Sequence, residues 1–252
     1  TVLTLLKRPH PISTRTDHPL SIFILLAGDI ELNPGPSFNI CNLNVRSLLN
    51  SLHKAAIFDL ADSNHPDVFA LTETWVRSTT THSDLMGAIP TGYSLLSQPR
   101  DSDSATVGGG LAFLVRESLT NISSPSYSFS SFETLSLTTQ FSKSKLTIFN
   151  IYRPPLTSKH TDGFSTFLSQ FESFLSSVVT LPHDFIITGD FNIHVNDPGN
   201  VHASQFLGLL SAYNLNQLVN FPTHSGQNTL DLFIVHEGTS LSPSISCSDT
   251  SP

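Results

Sequence analysis

Several apolar runs in the chain end on a side chain that could hold a cation or move a proton. They are Asn44 in "CNLNVRSL", Glu73 in "ALTETW", Tyr152 in "IFNIYRPP", Asp190 and Asn192 in "ITGDFN", and Asp231 in "NTLDLFIV". A carboxylate directly after an apolar strand is costly to bury unless it is paired or binds a cation. Hard divalent cations such as Mg²⁺ take a few carboxylate oxygens and keep open water positions. An ion held in this way neutralises a phosphate and stabilises the leaving oxygen of an in-line displacement. Asparagine donates and accepts without adding charge, which suits it to orient a phosphate or a water beside those carboxylates. Each residue alone has a plainer reading: Asn44 a turn residue, Glu73 a helix cap, Asp231 the partner of a nearby arginine, "GDFN" a tight turn. Their recurrence at strand ends favours phosphoester chemistry.

Such side chains need strands whose ends meet. "FNICNLNV" reads as a strand, and Leu48, Leu52, Ala55, Ala56, Phe58 and Leu60 of "SLLNSLHKAAIFDLAD" have helical spacing. "PDVFALTET" reads as a buried strand, and "GYSLLSQ" and "GGGLAFLVR" as further strands. "FETLSLTTQF" and "KLTIFNIY" fit an antiparallel pair, with Lys143 and Lys145 near the turn. Phe164, Phe167, Phe171 and Phe174 predict a helix with one apolar stripe. "HDFIITGDFN" is a buried strand, "ASQFLGLLSAYNL" a helix, and "TLDLFIV" and "SISC" late strands. Strands follow one another too often for a strict βαβ rhythm. The order predicts two sheets with helices on their outer faces.

Composition bounds the function. The 252 residues are 38% hydrophobic, enough for a sizeable core. Only 13% are charged, against roughly 25% in typical soluble domains, and Ser, Thr and Asn take their place. The net charge of −8 argues against a broad basic surface for nucleic acid, though not against a nuclease whose acidic residues hold a metal. Cys41 and Cys247 stand far apart, so neither a zinc site nor a disulfide framework follows. No apolar run approaches the ~18 residues of a membrane span, so no membrane partner is expected. Residues 1–36, rich in Pro, Thr and His, read as a leader, and residues 37–252 as one domain. Within the leader, "LSIFILLA" follows Lys7, Arg8 and Arg15 but lacks a convincing cleavage site for a signal peptide.

Taken in order, "LNVRSL", "ALTETW", "GGGLAFLVR", "IYRPP", "ITGDFNIHV" and "NTLDLFIV" resemble the endonuclease domain of LINE-type (non-LTR) retrotransposons. That domain belongs to the endonuclease/exonuclease/phosphatase superfamily. The resemblance implies an α/β (α+β) four-layer sandwich, DNase I-like, of two packed, mainly antiparallel sheets flanked by helices. It implies that Glu73 and Asn44 hold the metal, Mg²⁺ with Mn²⁺ as a substitute. Tyr152 would contact the scissile phosphate, and Asp190 would position or deprotonate the attacking water. Asn192 would orient the phosphate or that water, with Asp231 close by. Thr223 in "FPTHSG" and Arg153 in "YRPP" would lie on the substrate side. The implied reaction nicks one strand of double-stranded target DNA, leaving a 3′-hydroxyl from which reverse transcription primes. Retrotransposon RNA would arrive through a downstream reverse transcriptase, and the work would take place in the nucleus after cytoplasmic synthesis.

One departure stands out. The family closes its site with Ser-Asp-His, whereas this chain reads "SISCSDTSP". Either Thr250 replaces the histidine, or the domain is C-terminally truncated, lacking the histidine and the last strand. His194, His224 and His236 have no assignable part in that role. Acid–base groups contribute about 10²–10⁴-fold to rate, so weak cleavage with retained metal binding is expected. Rival readings are another phosphoesterase of the same fold, such as a sphingomyelinase or inositol-phosphate phosphatase, and a non-catalytic nucleic-acid-binding remnant.

The leader carries its own motif. Asp29, Glu31, Asn33, Pro34, Gly35 and Pro36 fill every fixed position of the 2A-like ribosome-skipping peptide D-x-E-x-N-P-G-P. The resemblance implies that the Gly35–Pro36 bond is never made. Proline is a hindered nucleophile, and Pro34 restricts the backbone before it. The plainer reading is a loop leading into the strand at Phe38.

Overall fold

The computed structural model describes residues 21–27, 38–100, 108–122, 126–141, 144–155, 163–224 and 226–248. The ribosome-skipping motif and Thr250 lie outside the described residues. In chain order the elements are β1 (Ser21–Ala27), β2 (Phe38–Asn44), α1 (Ser51–Asn64), β3 (Val68–Thr72), α2 (His82–Met86), β4 (Tyr93–Gln98), β5 (Leu111–Arg116) and β6 (Asn121–Ile122). They continue with β7 (Glu133–Phe141), β8 (Ser144–Tyr152), α3 (Gly163–Val178), β9 (Asp184–Asp190), α4 (Val201–Ala212), β10 (Leu215–Gln217), β11 (Asp231–His236) and β12 (Ser242–Ser248).

Two six-stranded sheets result, in the orders β12-β1-β2-β3-β5-β4 and β10-β11-β9-β8-β7-β6. All pairings are antiparallel except β2 with β3 and β8 with β9. Alternation along each strand sorts side chains between the two faces. Ile40, Val68, Ala70, Phe113, Ile148, Ile186 and Phe233 meet between the sheets. Cys41, Leu43, Phe69, Leu71 and Leu114 turn outward under Ile57 and Leu60 of α1. On the far side, Phe149, Ile151, Ile187, Leu232 and Ile234 turn outward under α3 and α4. Helices therefore cover both outer faces, as the four-layer expectation required.

Phe164, Phe167, Phe171 and Phe174 of α3 are all buried, confirming the stripe. Burying each such ring contributes about 1.5–3 kcal/mol. Two sequence expectations change. In α1 the apolar face is Ile57, Leu60 and Ala61, while Leu52 is 72% exposed. Asn50 caps the helix by accepting from Leu52 N–H, so Leu48 precedes the helix and cannot set its phase. The apolar run 21–27 of the expected leader is β1, a central strand paired with both β2 and β12. No helix among the described residues is long and apolar enough to cross a membrane.

Candidate active site

The same alternation that buries Ile40, Ala70, Ile148, Ile186 and Phe233 between the sheets carries polar side chains to one end of that gap. Two residues further along the same face come Asn42 and Asn44 on β2, Thr72 on β3, Asn150 and Tyr152 on β8, and Thr188 and Asp190 on β9. Asp231, opening β11, lies opposite Asp190. The parallel pairs β2–β3 and β8–β9 end here together, with Asn44 opposite Thr72 and Tyr152 opposite Asp190. Asn150 ties the sheets: its Nδ2 donates to the carbonyls of Leu71 at 2.9 Å and Ala112 at 3.3 Å. Gly189 permits the approach of β9 to β8, since a Cβ there would lie 1.9 Å from the Ile151 oxygen.

Glu73 sits just past β3 with φ 56°, a left-handed conformation unusual for its type. Bonds on both sides hold it. Ser47 N–H donates to the Glu73 carbonyl at 2.8 Å, and the N–H groups of Thr74 and Trp75 donate to the Gly110 and Gly109 carbonyls at 3.1 and 2.9 Å. The carboxylate accepts from Gly109 N–H at 2.9 Å, from Trp75 Nε1 at 2.5 Å and from the Tyr152 hydroxyl. Burial, then the hydrogen bond and charge of Glu73, hold the Tyr152 phenol protonated far above its usual range.

Asp190 is buried and receives Asn44 Nδ2 at 2.8 Å and Asn192 N–H at 3.0 Å. Burial pushes its carboxyl up to about 6, with Glu73 adding to the rise and the two hydrogen bonds and Arg153 opposing it. Asn192, at φ 49°, donates its Nδ2 to the Arg153 carbonyl at 2.8 Å. Asp231 accepts from Asn42 Nδ2 at 3.2 Å and is hydrogen-bonded by Thr223, whose hydroxyl also accepts the N–H groups of Leu230 and Asp231 at 3.0 and 3.1 Å. Burial and the neighbouring Asp190 push Asp231 well up.

Glu73, Asn44, Tyr152, Asp190, Asn192 and Asp231 are thus brought to one end of the inter-sheet gap. Thr223 joins them from beneath, as a buried support for Asp231. Arg153 takes a different place from the one expected on the substrate side. It is 4% exposed, with its guanidinium carbon 5.5 and 5.2 Å from the ring centres of Phe164 and Phe167 and Nη2 donating to the Asn192 carbonyl at 3.3 Å. Burial lowers its affinity for its proton to a pKa of about 10. Its charge faces Asp190 from the core side, and its planar group fastens the loop bearing Asn192. Alternation along "FNICNLN" could have revealed Asn42, which shares a face with Asn44. Glu133 and Arg100, which pair beside Glu73, carried no local signal.

Among the described residues no cluster of three or more His, Cys, Asp or Glu side chains is arranged to enclose a metal ion. The donors instead suit a hard cation that keeps much of its water. Asn44 Oδ1 is buried without a hydrogen-bond donor, and a carboxylate such as Glu73 has about four acceptor sites, so an oxygen ligand remains after three bonds.

Comparison with known proteins bears on the fold and the family. No curated protein matches the chain by sequence. Among solved structures, the AP endonuclease LMAP from Leishmania major is 15% identical, with a TM-score of 0.65 over 83% of this chain and 87% of that one. The endonuclease domain of TRAS1, a telomere-specific non-LTR retrotransposon, is 16% identical, with a TM-score of 0.60 over 80% and 86%. The 3′ phosphatase NExo from Neisseria, bound to product DNA hairpin, is 14% identical, with a TM-score of 0.56 over 80% and 87%. These likenesses show a shared DNase I-like fold. Residues 37–251 match the model of the Endonuclease/Exonuclease/phosphatase family, and the chain belongs to that family.

Proposed function

We propose that this chain is a divalent-metal-dependent DNA endonuclease domain of a LINE-type retrotransposon, which nicks target duplex DNA for target-primed reverse transcription. The observation that carries the reading is the convergence of Asn44 and Glu73 from one sheet with Tyr152, Asp190 and Asn192 from the other. Glu73 and Asn44 Oδ1 would hold Mg²⁺ or Mn²⁺, which supplies charge neutralisation at the phosphate and leaving oxygen. Asp190, poised near 6, accepts the proton of the attacking water. Water would add to phosphorus as Asp190 takes its proton, the bond to O3′ would break, and the departing oxygen would take a proton from solvent, so that the strand ends in a 3′-hydroxyl and a 5′-phosphate. Tyr152, whose single O–H is given to Glu73, would contact the phosphate beside that carboxylate, and Asn192 orients the phosphate through the amide atoms that Arg153 leaves free.

The similarity to the TRAS1 domain and the ordered motifs support the retrotransposon role, with element RNA brought by a reverse transcriptase in the nucleus. The motif from Asp29 to Pro36 supports ribosome skipping between Gly35 and Pro36. In-vitro translation should give two products, and a single product carrying both flanks would refute it.

The nuclease test is relaxation of supercoiled plasmid with Mg²⁺ by the wild-type chain and by Asp190→Asn. Nicked circles from the wild type, greatly reduced in the variant, support the reading. Release of inorganic phosphate from small phosphoesters without nicking would move the chain to another activity of the same fold. A second reading is a nucleic-acid-binding remnant; among the described residues the hydrogen bonds to buried Asp231 come from Asn42 and Thr223. Salt-dependent DNA binding without nicking, in a chain extended by a C-terminal Ser-Asp-His segment, would support it.

A further inference from the structure

Glu73 depends on donors from two separate loops. Gly109 N–H belongs to the glycine run before β5, and the Tyr152 hydroxyl belongs to the end of β8 in the other sheet. Asn150, two residues before Tyr152, already ties β8 to Ala112 at the start of β5. A half-buried ion pair adds a second bridge nearer the carboxylate. Glu133 opens β7 directly opposite Tyr152. Its Oε1 accepts Arg100 Nε at 2.5 Å and its Oε2 accepts Gly110 N–H at 2.7 Å. Arg100, just past β4 in the first sheet, places its guanidinium carbon 5.5 Å from the centre of the Tyr152 ring.

The pair also shapes the glycine run. A Cβ on Gly109 would lie 2.3 Å from Arg100 Cζ and 2.5 Å from Glu133 Oε1. At Gly108, a Cβ would sit 3.4 Å from Glu73 Oε2 and 3.9 Å from Arg100 Nη1. Arg100 and Glu133 therefore press the bare backbone of Gly108 and Gly109 against Glu73. Burial raises the Glu133 carboxyl, with the Arg100 charge and the Gly110 N–H opposing the rise. Buried ion pairs are weak evidence of stability, and a registry role is among their best-attested uses.

We propose that Arg100 and Glu133 act as one positioning unit that sets Glu73 for cation binding, by fixing its Gly109 and Tyr152 donors across the two sheets. The inference rests on the metal-site reading above. It differs from the ligand assignment, since neither residue touches the cation or the reacting phosphate.

The chain contains a single tryptophan. Trp75 donates Nε1 to Glu73 Oε2, so its fluorescence reports on that carboxylate without any need for turnover. The full chain and its Arg100→Gln, Glu133→Gln, Arg100→Lys and double Gln variants would be titrated with Mg²⁺ and with Mn²⁺ alone, alongside melting curves. Expected are half-saturation points at least about tenfold higher in each Gln variant, with little further loss in the double variant. Arg100→Lys should fall between, because an ammonium keeps the charge but not the planar fork. Lower melting temperatures with unchanged half-saturation would overturn the proposal, as would additive effects in the double variant. If wild-type emission ignores both metals, the metal-site reading fails by itself. The metal-free spectra then decide the inference: shifted emission in both Gln variants supports it, and unchanged emission overturns it.

Discussion

Asn44 and Asp190, 146 positions apart, meet across the gap between the sheets through a 2.8 Å hydrogen bond. Asn44 spends its N–H on Asp190 while its oxygen stays free of any donor. One amide therefore donates to a carboxylate and keeps an acceptor oxygen that, among the described residues, has no donor. Asp190→Asn should lower plasmid nicking by about 10²–10⁴-fold, the range for loss of an acid–base group. Asn44→Leu removes the bond to Asp190 and the free oxygen together, so it should lose nicking and weaken Mg²⁺ binding. Nicking by Asn44→Leu at the wild-type rate would contradict the arrangement.

Asp231 gives a pH prediction. Its folded pKa is raised by burial, so the folded chain binds that proton more tightly than the unfolded chain. The associated stability is complete below the unfolded pKa, near 4, and is lost as pH rises through the folded value. The metal-free chain should therefore melt lower at pH 8 than at pH 5, with Asp190 contributing the part lost as pH rises through about 6. Each group contributes at most about 1.4 kcal/mol per pH unit. Asp231→Asn should flatten the slope of melting temperature against pH, read by calorimetry across that range.

Gly109 has φ +76° and no room for a side chain. Gly109→Ala should destabilise by more than the ~1 kcal/mol that such replacements gain at compatible positions, and should weaken cation binding as Arg100 is displaced. Chemical denaturation and Trp75 titration measure the two effects. Gly87→Ala is the control, because the nearest atom to its Cβ is 3.9 Å away.

Arg153 separates stability from function. Removing one member of a buried ion pair is costly, but among the described residues the ion pairs are Arg100–Glu133 and Arg116–Asp67, so Arg153 leaves no ion-pair partner behind. Arg153→Met should fill the space beside Phe164 and Phe167 and keep the melting temperature within a few degrees. It gives up the bond to the Asn192 carbonyl, so nicking should fall by about tenfold, equivalent to ~1.4 kcal/mol in the barrier. A large fall in melting temperature with unchanged specific activity would contradict the assignment.

β1 precedes the Gly35–Pro36 junction and lies between β2 and β12. A chain beginning at Pro36 leaves the facing backbone edges of both strands unpaired, and exposed edges invite pairing with other chains. It should melt lower than the full chain and associate with concentration, as seen by ultracentrifugation. A synthetic peptide covering residues 20–28 should reverse both changes.

The strands and α3 were legible in the sequence because their signals are local. The continuous apolar run in "FIITGD" and the aromatic spacing from Phe164 to Phe174 each lie within one element. The same locality made each strand-end residue a candidate. It misassigned the face of α1, where the Asn50 cap rather than the hydrophobic spacing sets the phase. It also left 21–27 in a leader, because a strand supplied from outside the main run of elements is recognised only by its partners.

The sequence by itself determined which side chains could do chemistry and that each would stand at the end of a buried strand, since residue type and period are written along the chain. Only the tertiary structure decided which of them meet. Two parallel pairs ending at the same level bring Asn44 and Glu73 against Tyr152 and Asp190, turn Arg153 into the core, and bridge Arg100 to Glu133. Contacts between residues 33 to 146 positions apart follow from sheet order and register, which depend on the packing of the whole chain.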